Sequence, residues 1–301
     1  MSTPLSPRES HGSDSRFLEY PRRVFTLEQF GIDRARFLAE LAPSFYPLPW
    51  DTYDVRREQV RRLFAAFPNE HPRLQQFLVS YWSGTETLTA IEDLLARLPT
   101  EERTALESVA PYRRRAMARF RLKRLGSHWG QERLPDETSF AQGKLDSGDL
   151  RALPRLFAPM EPSVAENAGF ARLREAVAEL VAEARPDARA LTLTVHQMSV
   201  VCRPGQAATN SPEGIHQDGS DYIVSALVVE RTGVTGGTSR VFGPDQKTIL
   251  LEHTLQPGEG LFQADVGSPL WHDVTPVRRC ESAQSNGIRS VLGFDIRLHS
   301  L

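Results

Sequence analysis

The chain has 301 residues, with 36 lysines and arginines against 38 aspartates and glutamates, for a formal net charge of −2. Such near-neutrality supplies no global positive field to draw it onto nucleic acid or an anionic membrane surface. No apolar run approaches a bilayer span, so no transmembrane helix is expected, and the two cysteines, Cys202 and Cys280, are too few for a disulfide framework and suit a reducing cytoplasm.

In chain order, MSTPLSPRESHGSDSRF is polar and rich in Ser and Pro, so residues 1–16 are expected to be a disordered tail without a hydrophobic signal segment. From 17 to 189 the pattern is mainly helical. DRARFLAELAP and REQVRRLFAAF space apolar residues three and four apart, the mark of a helix with one buried face. TETLTAIEDLLARLPTEERTALESVA continues this pattern until Pro99, after which Thr100 is a helix-cap candidate. His71 reads as a loop residue. PYRRRAMARFRLKRL is strongly basic and reads either as a solvated helix face or as the source of an anion clamp. AENAGFARLREAVAELVAEARPD is the last clear helix.

The texture changes at residue 190. ALTLTVHQMSVV, DYIVSALVVE, KTILLEHTL, GLFQADV and RSVLGFDIRL are short, rich in β-branched residues and partly alternating, with turn signals such as TGVTGG and QPGEG between them. Five or more such strands predict a sandwich or jelly roll. With no sharp linker between the halves, residues 17–301 read as one α+β domain: helices packed on a β core.

The chemistry concentrates in EGIHQDGSDY. On a strand, positions i and i+2 face the same side, so His216 and Asp218 can aim an imidazole and a carboxylate at one point. Two ligands do not make a site, but FQADVGSPLWHDVTPV offers a third in His272. Two histidines and a carboxylate can occupy one face of an octahedral metal and leave the other open, the arrangement of non-haem Fe(II) oxygenases. The bland alternative is a set of hydrogen-bonded residues at strand ends. His196, in an alternating strand, reads as a structural histidine.

The ordered set PEGIHQDG, the GG hairpin in TGVTGGTSRVF, the WHDVTP block and the terminal RSVL resembles the bacterial 2-oxoglutarate/Fe(II) dioxygenases that hydroxylate free amino acids, of which the isoleucine hydroxylases are familiar members. The resemblance is strong over about 190–298 and weaker upstream; the helical stretch near 56–110 looks like extra material. It implies a double-stranded β-helix (cupin-like jelly roll) and iron held by His216, Asp218 and His272. It also implies that Arg289 pairs with the distal carboxylate of 2-oxoglutarate. An arginine opening an apolar strand suits that role, because its planar fork pairs with a carboxylate through two hydrogen bonds. Cofactors implied are Fe(II), 2-oxoglutarate and O2, with ascorbate supportive. Oxidative decarboxylation to succinate would be coupled to C–H hydroxylation.

A free amino acid or cyclic imino acid such as pipecolate needs a partner for its ammonium and another for its carboxylate. Glu213 is the first candidate for the amine and Asp221 the second, and Arg113 to Arg115, Arg115 foremost, offer a carboxylate clamp. Two departures from the family pattern, Ser199 in place of an arginine and the bulky Trp271 before His272, are expected to reshape the substrate pocket. Two other readings stand beside this one: a cupin-like metal enzyme that uses no 2-oxoglutarate, and a non-catalytic jelly-roll binding protein.

Overall fold

Runs of alternating and β-branched residues become strands, as their side chains suit a half-buried pleated surface. The computed structural model describes residues 20–136, 139–142 and 150–299; the expected tail, residues 1–16, lies outside them. The strands are β1 (Arg22–Thr26), β2 (Arg113–Leu125), β3 (His128–Arg133), β4 (Ala158–Pro159), β5 (Ala190–Cys202), β6 (Ala207–Ala208) and β7 (Tyr222–Thr232). They continue with β8 (Val234–Gly236), β9 (Ser239–Phe242), β10 (Ile249–His253), β11 (Glu259–Ala264), β12 (Trp271–Val274), β13 (Val277–Arg279) and β14 (Gly287–Leu298). The helices are α1 (Arg34–Leu41), α2 (Tyr53–Ala66), α3 (His71–Ser83), α4 (Glu92–Leu95), α5 (Thr100–Glu107), α6 (Pro162–Ala165) and α7 (Ala168–Ala184).

The described residues fall into two units. The first comprises 20–48, 115–136 and 158–299, and holds the principal sheet in the order β1-β11-β7-β14-β5-β2-β3, with β4 beside β2. Two three-stranded sheets, β10-β9-β12 and β6-β13-β8, complete it. The result is a mixed α+β fold in which β1–β11, β11–β7, β7–β14, β14–β5 and β2–β3 pair antiparallel and the short β2–β4 contact is parallel. β14 pairs with β5 without interruption from Gly287–Cys202 to Leu298–Leu191. Alternation therefore gives this pair two distinct faces. Ser290, Leu292, Phe294 and Ile296 share one, where Phe294 meets Phe170 of α7. Arg289, Val291, Gly293 and Asp295 share the other.

Helix α7 forms where the sequence predicts it. Asn167 caps it by accepting from the Phe170 N–H at 3.0 Å, and Phe170, Leu173, Val177, Leu180 and Val181 make a stripe buried in the core.

The second unit comprises 49–114, 139–142 and 150–157 and has its own core. Leu63, Leu74, Phe77, Leu94, Leu95 and Leu106 are buried among α2 to α5. A buried ion pair adds to it: Arg113 reaches Asp51 at 3.1 Å and Asp54 at 2.7 Å.

Three local expectations are corrected. His71 does not lie in a loop but opens α3, whose Leu74, Phe77 and Tyr81 repeat at helical spacing. Thr100 is the first residue of α5 and Pro99 its cap position, because proline's fixed φ suits a helix entry. The basic segment is not a helix face but strand β2, in which Ala116, Ala118, Phe120 and Leu122 are buried at a period of two and Arg113 and Arg115 are themselves buried.

Candidate metal centre

His216 and His272 are joined through their backbones. The His216 N–H donates to the His272 carbonyl at 2.9 Å and the His272 N–H donates back at 3.0 Å, an isolated antiparallel bridge. His272 sits on β12, whereas His216 and Asp218 lie on a turn rather than on the strand expected for them. Gly214 and Gly219, at φ 80° and 89°, take left-handed conformations on either side and break the extended run. The turn reaches the same end as a strand. Ligand atoms of His216, Asp218 and His272 all lie within 4.8 Å of one another.

Asp218 bridges the two rings, with Oδ1 3.4 Å from His216 Nε2 and Oδ2 3.4 Å from His272 Nε2. Burial alone would raise its pKa, but the hydrogen bonds and charges of the two histidines outweigh burial and hold the carboxyl well below its usual range. His216 Nδ1 lies 2.7 Å from the Gly214 carbonyl, which can only accept, so Nδ1 is the donor there and Nε2 is the nitrogen that faces the cluster. Nε2 is thus the nitrogen left to serve as a metal ligand.

A residue the sequence did not single out holds this turn. The fully buried Asp265 carboxylate accepts from the backbone N–H groups of Asp218 at 3.1 Å, Gly219 at 2.8 Å and Ser220 at 2.9 Å. Gln217 reaches the other way, its Nε2 donating to the carbonyls of Asp265, Ser268 and Leu270 at 3.2, 3.2 and 2.8 Å. Nothing in FQADVG distinguishes Asp265 from a turn residue.

Arg289 is 0% exposed, an uncommon place for a guanidinium. Its Nη1 donates to Asn210 Oδ1 at 2.7 Å, while Nε and Nη2 have no partner among the described residues. Burial, with the neighbouring charge of Arg231 second, pushes its pKa down to about 10. A buried cation with two unanswered donors fits the carboxylate that the sequence reading assigns to it.

The remaining candidates divide. Glu213 comes to the cluster, its Oε1 3.1 Å from His216 Nε2. Arg115 is buried, its Nη2 2.9 Å from His196 Nδ1, and His196 Nε2 lies 3.3 Å from Asp295 Oδ2. By register His196 and Asp295 stand on the Arg289 face of the β5–β14 pair. His196, read as structural, thus shares a polar chain on the face that carries Arg289. Asp221 does not join the site: its side chain is exposed and accepts from the Leu298 N–H at 2.7 Å. Trp271 precedes His272 on β12, so alternation turns it to the opposite face. Ser199 likewise lies opposite Arg289, with its Oγ 3.1 Å from that of Ser290. Neither departure from the family pattern therefore stands on the face of its strand that carries the site residue.

Comparison with solved structures gives a fold-level likeness. A bsmA homolog from Methylobium petroleophilum PM1 superposes with a TM-score of 0.54 at 21% identity, over 73% of this chain and 85% of that one. IDO from Bacillus thuringiensis gives 0.49 at 16% identity over 62% of this chain and 79% of that one. The Fe(II)/(alpha)ketoglutarate-dependent dioxygenase TqaL gives 0.44 at 16% identity over 78% and 89%. No curated protein matches. The 2OG-Fe dioxygenase family model matches residues 93–295, which include the clustered histidines, Asp218 and Arg289, and the chain accordingly belongs to that family, the non-haem iron enzymes that use Fe(II), 2-oxoglutarate and O2.

Proposed function

We propose that the protein hydroxylates a free amino acid or cyclic imino acid, with its sheets arranged as a double-stranded β-helix and Fe(II) held by His216, Asp218 and His272. The observation that carries this reading is a cluster of three neighbouring ligand atoms together with a buried arginine, two of whose donors have no partner among the described residues. When bound, the iron supplies the coupling of 2-oxoglutarate oxidation, to succinate and CO2, with insertion of one oxygen atom of O2 into a substrate C–H bond.

The chain's own residues do the positioning. His216 is oriented by the Gly214 carbonyl, which engages Nδ1 and leaves Nε2 toward the cluster, and Asp218 stays ionised between the two imidazoles. Arg289 receives the distal carboxylate of 2-oxoglutarate. Arg115, oriented by His196 and through it by Asp295, is the clamp for the substrate carboxylate, and Glu213 is the partner for its ammonium. Which C–H bond reacts is then set by how these groups hold the molecule, since orientation is worth several kcal/mol, about 7–11 in the best cases.

The test is succinate formation by anaerobically Fe(II)-loaded protein with 2-oxoglutarate and ascorbate, started with O2 against a panel of free amino and imino acids. Strong stimulation by one compound, abolished in His216→Ala, supports the reading. Stimulation by none of them, in protein that binds iron, sinks the free amino-acid assignment.

A further inference from the structure

Arg289 has a companion. Arg231 stands directly opposite it in the β7–β14 register, and directly opposed residues share a sheet face. Like charges so placed repel, more strongly away from water than in it. Arg231 donates Nη2 to the Gly236 carbonyl at 2.7 Å, but its Nη1 is buried without a partner among the described residues, as are Nε and Nη2 of Arg289. No carboxylate among them neutralises either guanidinium.

Gly237 shows how close the two are. A Cβ built there would fall 3.0 Å from Cδ and Nε of Arg289 and 3.2 Å from Nη1 of Arg231. Two of the three unanswered donors thus border one spot, against a glycine that leaves it open. This is the GG hairpin of the sequence, and it gives the second glycine a reason: φ at Gly237 is 66°, and a side chain would press on both arginines.

A fully buried cation beside a half-buried one costs free energy unless an anion lies between them. A carboxylate has two oxygens and about four acceptor positions, enough for N–H groups from both forks. We propose that Arg231 is the second cation of a two-guanidinium receptor for the distal carboxylate of 2-oxoglutarate, so that the pair selects a 2-oxo dicarboxylate over a 2-oxo monocarboxylate. The proposal rests on the assignment of Arg289 above and extends it to a residue outside that assignment.

The test is anaerobic calorimetry on full-length protein loaded with Mn(II), titrated with 2-oxoglutarate and separately with 2-oxobutanoate, which lacks the distal carboxylate. Arg231→Gln should weaken 2-oxoglutarate roughly 30-fold or more, and leave 2-oxobutanoate within about twofold. Arg231→Lys should recover part of the loss. Equal weakening of both ligands would mean that Arg231 only braces the hairpin through Gly236, and unchanged 2-oxoglutarate affinity would mean that it does not touch the cosubstrate; either overturns the proposal. If wild type binds no 2-oxoglutarate, the functional reading fails on its own. The arginine pair is then judged by whether glutarate raises the melting temperature of metal-free wild type and not of Arg231→Gln. Absence of that difference overturns it as well.

Discussion

The carboxylate of Asp265 holds the backbone on which Asp218 is mounted: Asp265 accepts the N–H of Asp218 and of the two residues after it. The clustered carboxylate is therefore aimed by a second, fully buried one. Burial and the nearby charge of Asp218 both push the Asp265 pKa up, while the backbone donors oppose them. Replacing Asp265 with Asn keeps the size and removes the charge and half of the acceptors. Metal affinity should fall about 10–100-fold, the usual effect of losing an outer-shell partner. Mn(II) binding followed by electron paramagnetic resonance checks this, and affinity equal to wild type in a folded Asp265→Asn protein would refute it.

Gly237→Ala should act on the cosubstrate and not on the metal. The left-handed backbone costs an alanine about 1 kcal/mol, and its methyl would stand 3.0 Å from the Arg289 side chain. The expected outcome is roughly tenfold weaker 2-oxoglutarate binding with Mn(II) affinity unchanged, about 1.4 kcal/mol in the first quantity alone. Loss of metal affinity in the same protein would count against the separation of the two subsites.

In the helical unit, Arg113 bridges Asp51 and Asp54 out of water. Removing one partner of a buried pair leaves a charge without compensation, at a cost of about 3–5 kcal/mol. Arg113→Met should lower the unfolding midpoint of that unit by on the order of 10 °C, read by differential scanning calorimetry. A midpoint within about a degree of wild type would show that the pair contributes nothing net, as some buried pairs do not.

Glu58 supplies a pH dependence. Its hydrogen bond to Arg61 lowers its pKa, burial opposes this, and Arg62 adds a further hydrogen bond, leaving it at about 2 against an ordinary 4.5. A depressed folded-state pKa means stability that is present above the unfolded value and lost as pH falls toward the folded one. The group is partly solvated, so the effect is small, below about 1 kcal/mol. The melting-temperature difference between wild type and Glu58→Gln should be constant from pH 7 to 5, shrink below 4.5 and vanish near 2. A difference that grows on acidification would reverse the sign of the assignment.

Strands β5, β7, β10, β11 and β14 and helix α7 were legible because their patterns are uninterrupted, and the order of His216, Asp218, His272 and Arg289 was enough to indicate the chemistry. The family match decides for an enzyme that uses 2-oxoglutarate over the other two readings. Strand β2 was hidden because its arginines, lysine, leucines and alanines are good helix formers, and its period of two shows only once Ala116, Ala118, Phe120 and Leu122 are seen to be buried. Asp265 and Arg231 were invisible for a different reason. Each takes its role from a neighbour distant in sequence, Asp218 or Arg289, and pairing across strands leaves no local spacing to read. Asp221 and Trp271 show the converse: proximity in sequence to a ligand does not bring a side chain to it, since alternation or a turn can send it elsewhere.

The double hydrogen bond between His216 and His272 bears on when the cluster is assembled. Bringing together two segments far apart in the chain costs loop-closure entropy, and a metal that had to gather them would lose that much affinity. Here the backbone bridge does the gathering, so the cost falls on folding and not on capture of the ion. On the proposed assignment, the three side chains form a socket completed with the tertiary structure, and the ion's binding energy goes into coordination instead of into ordering the polypeptide.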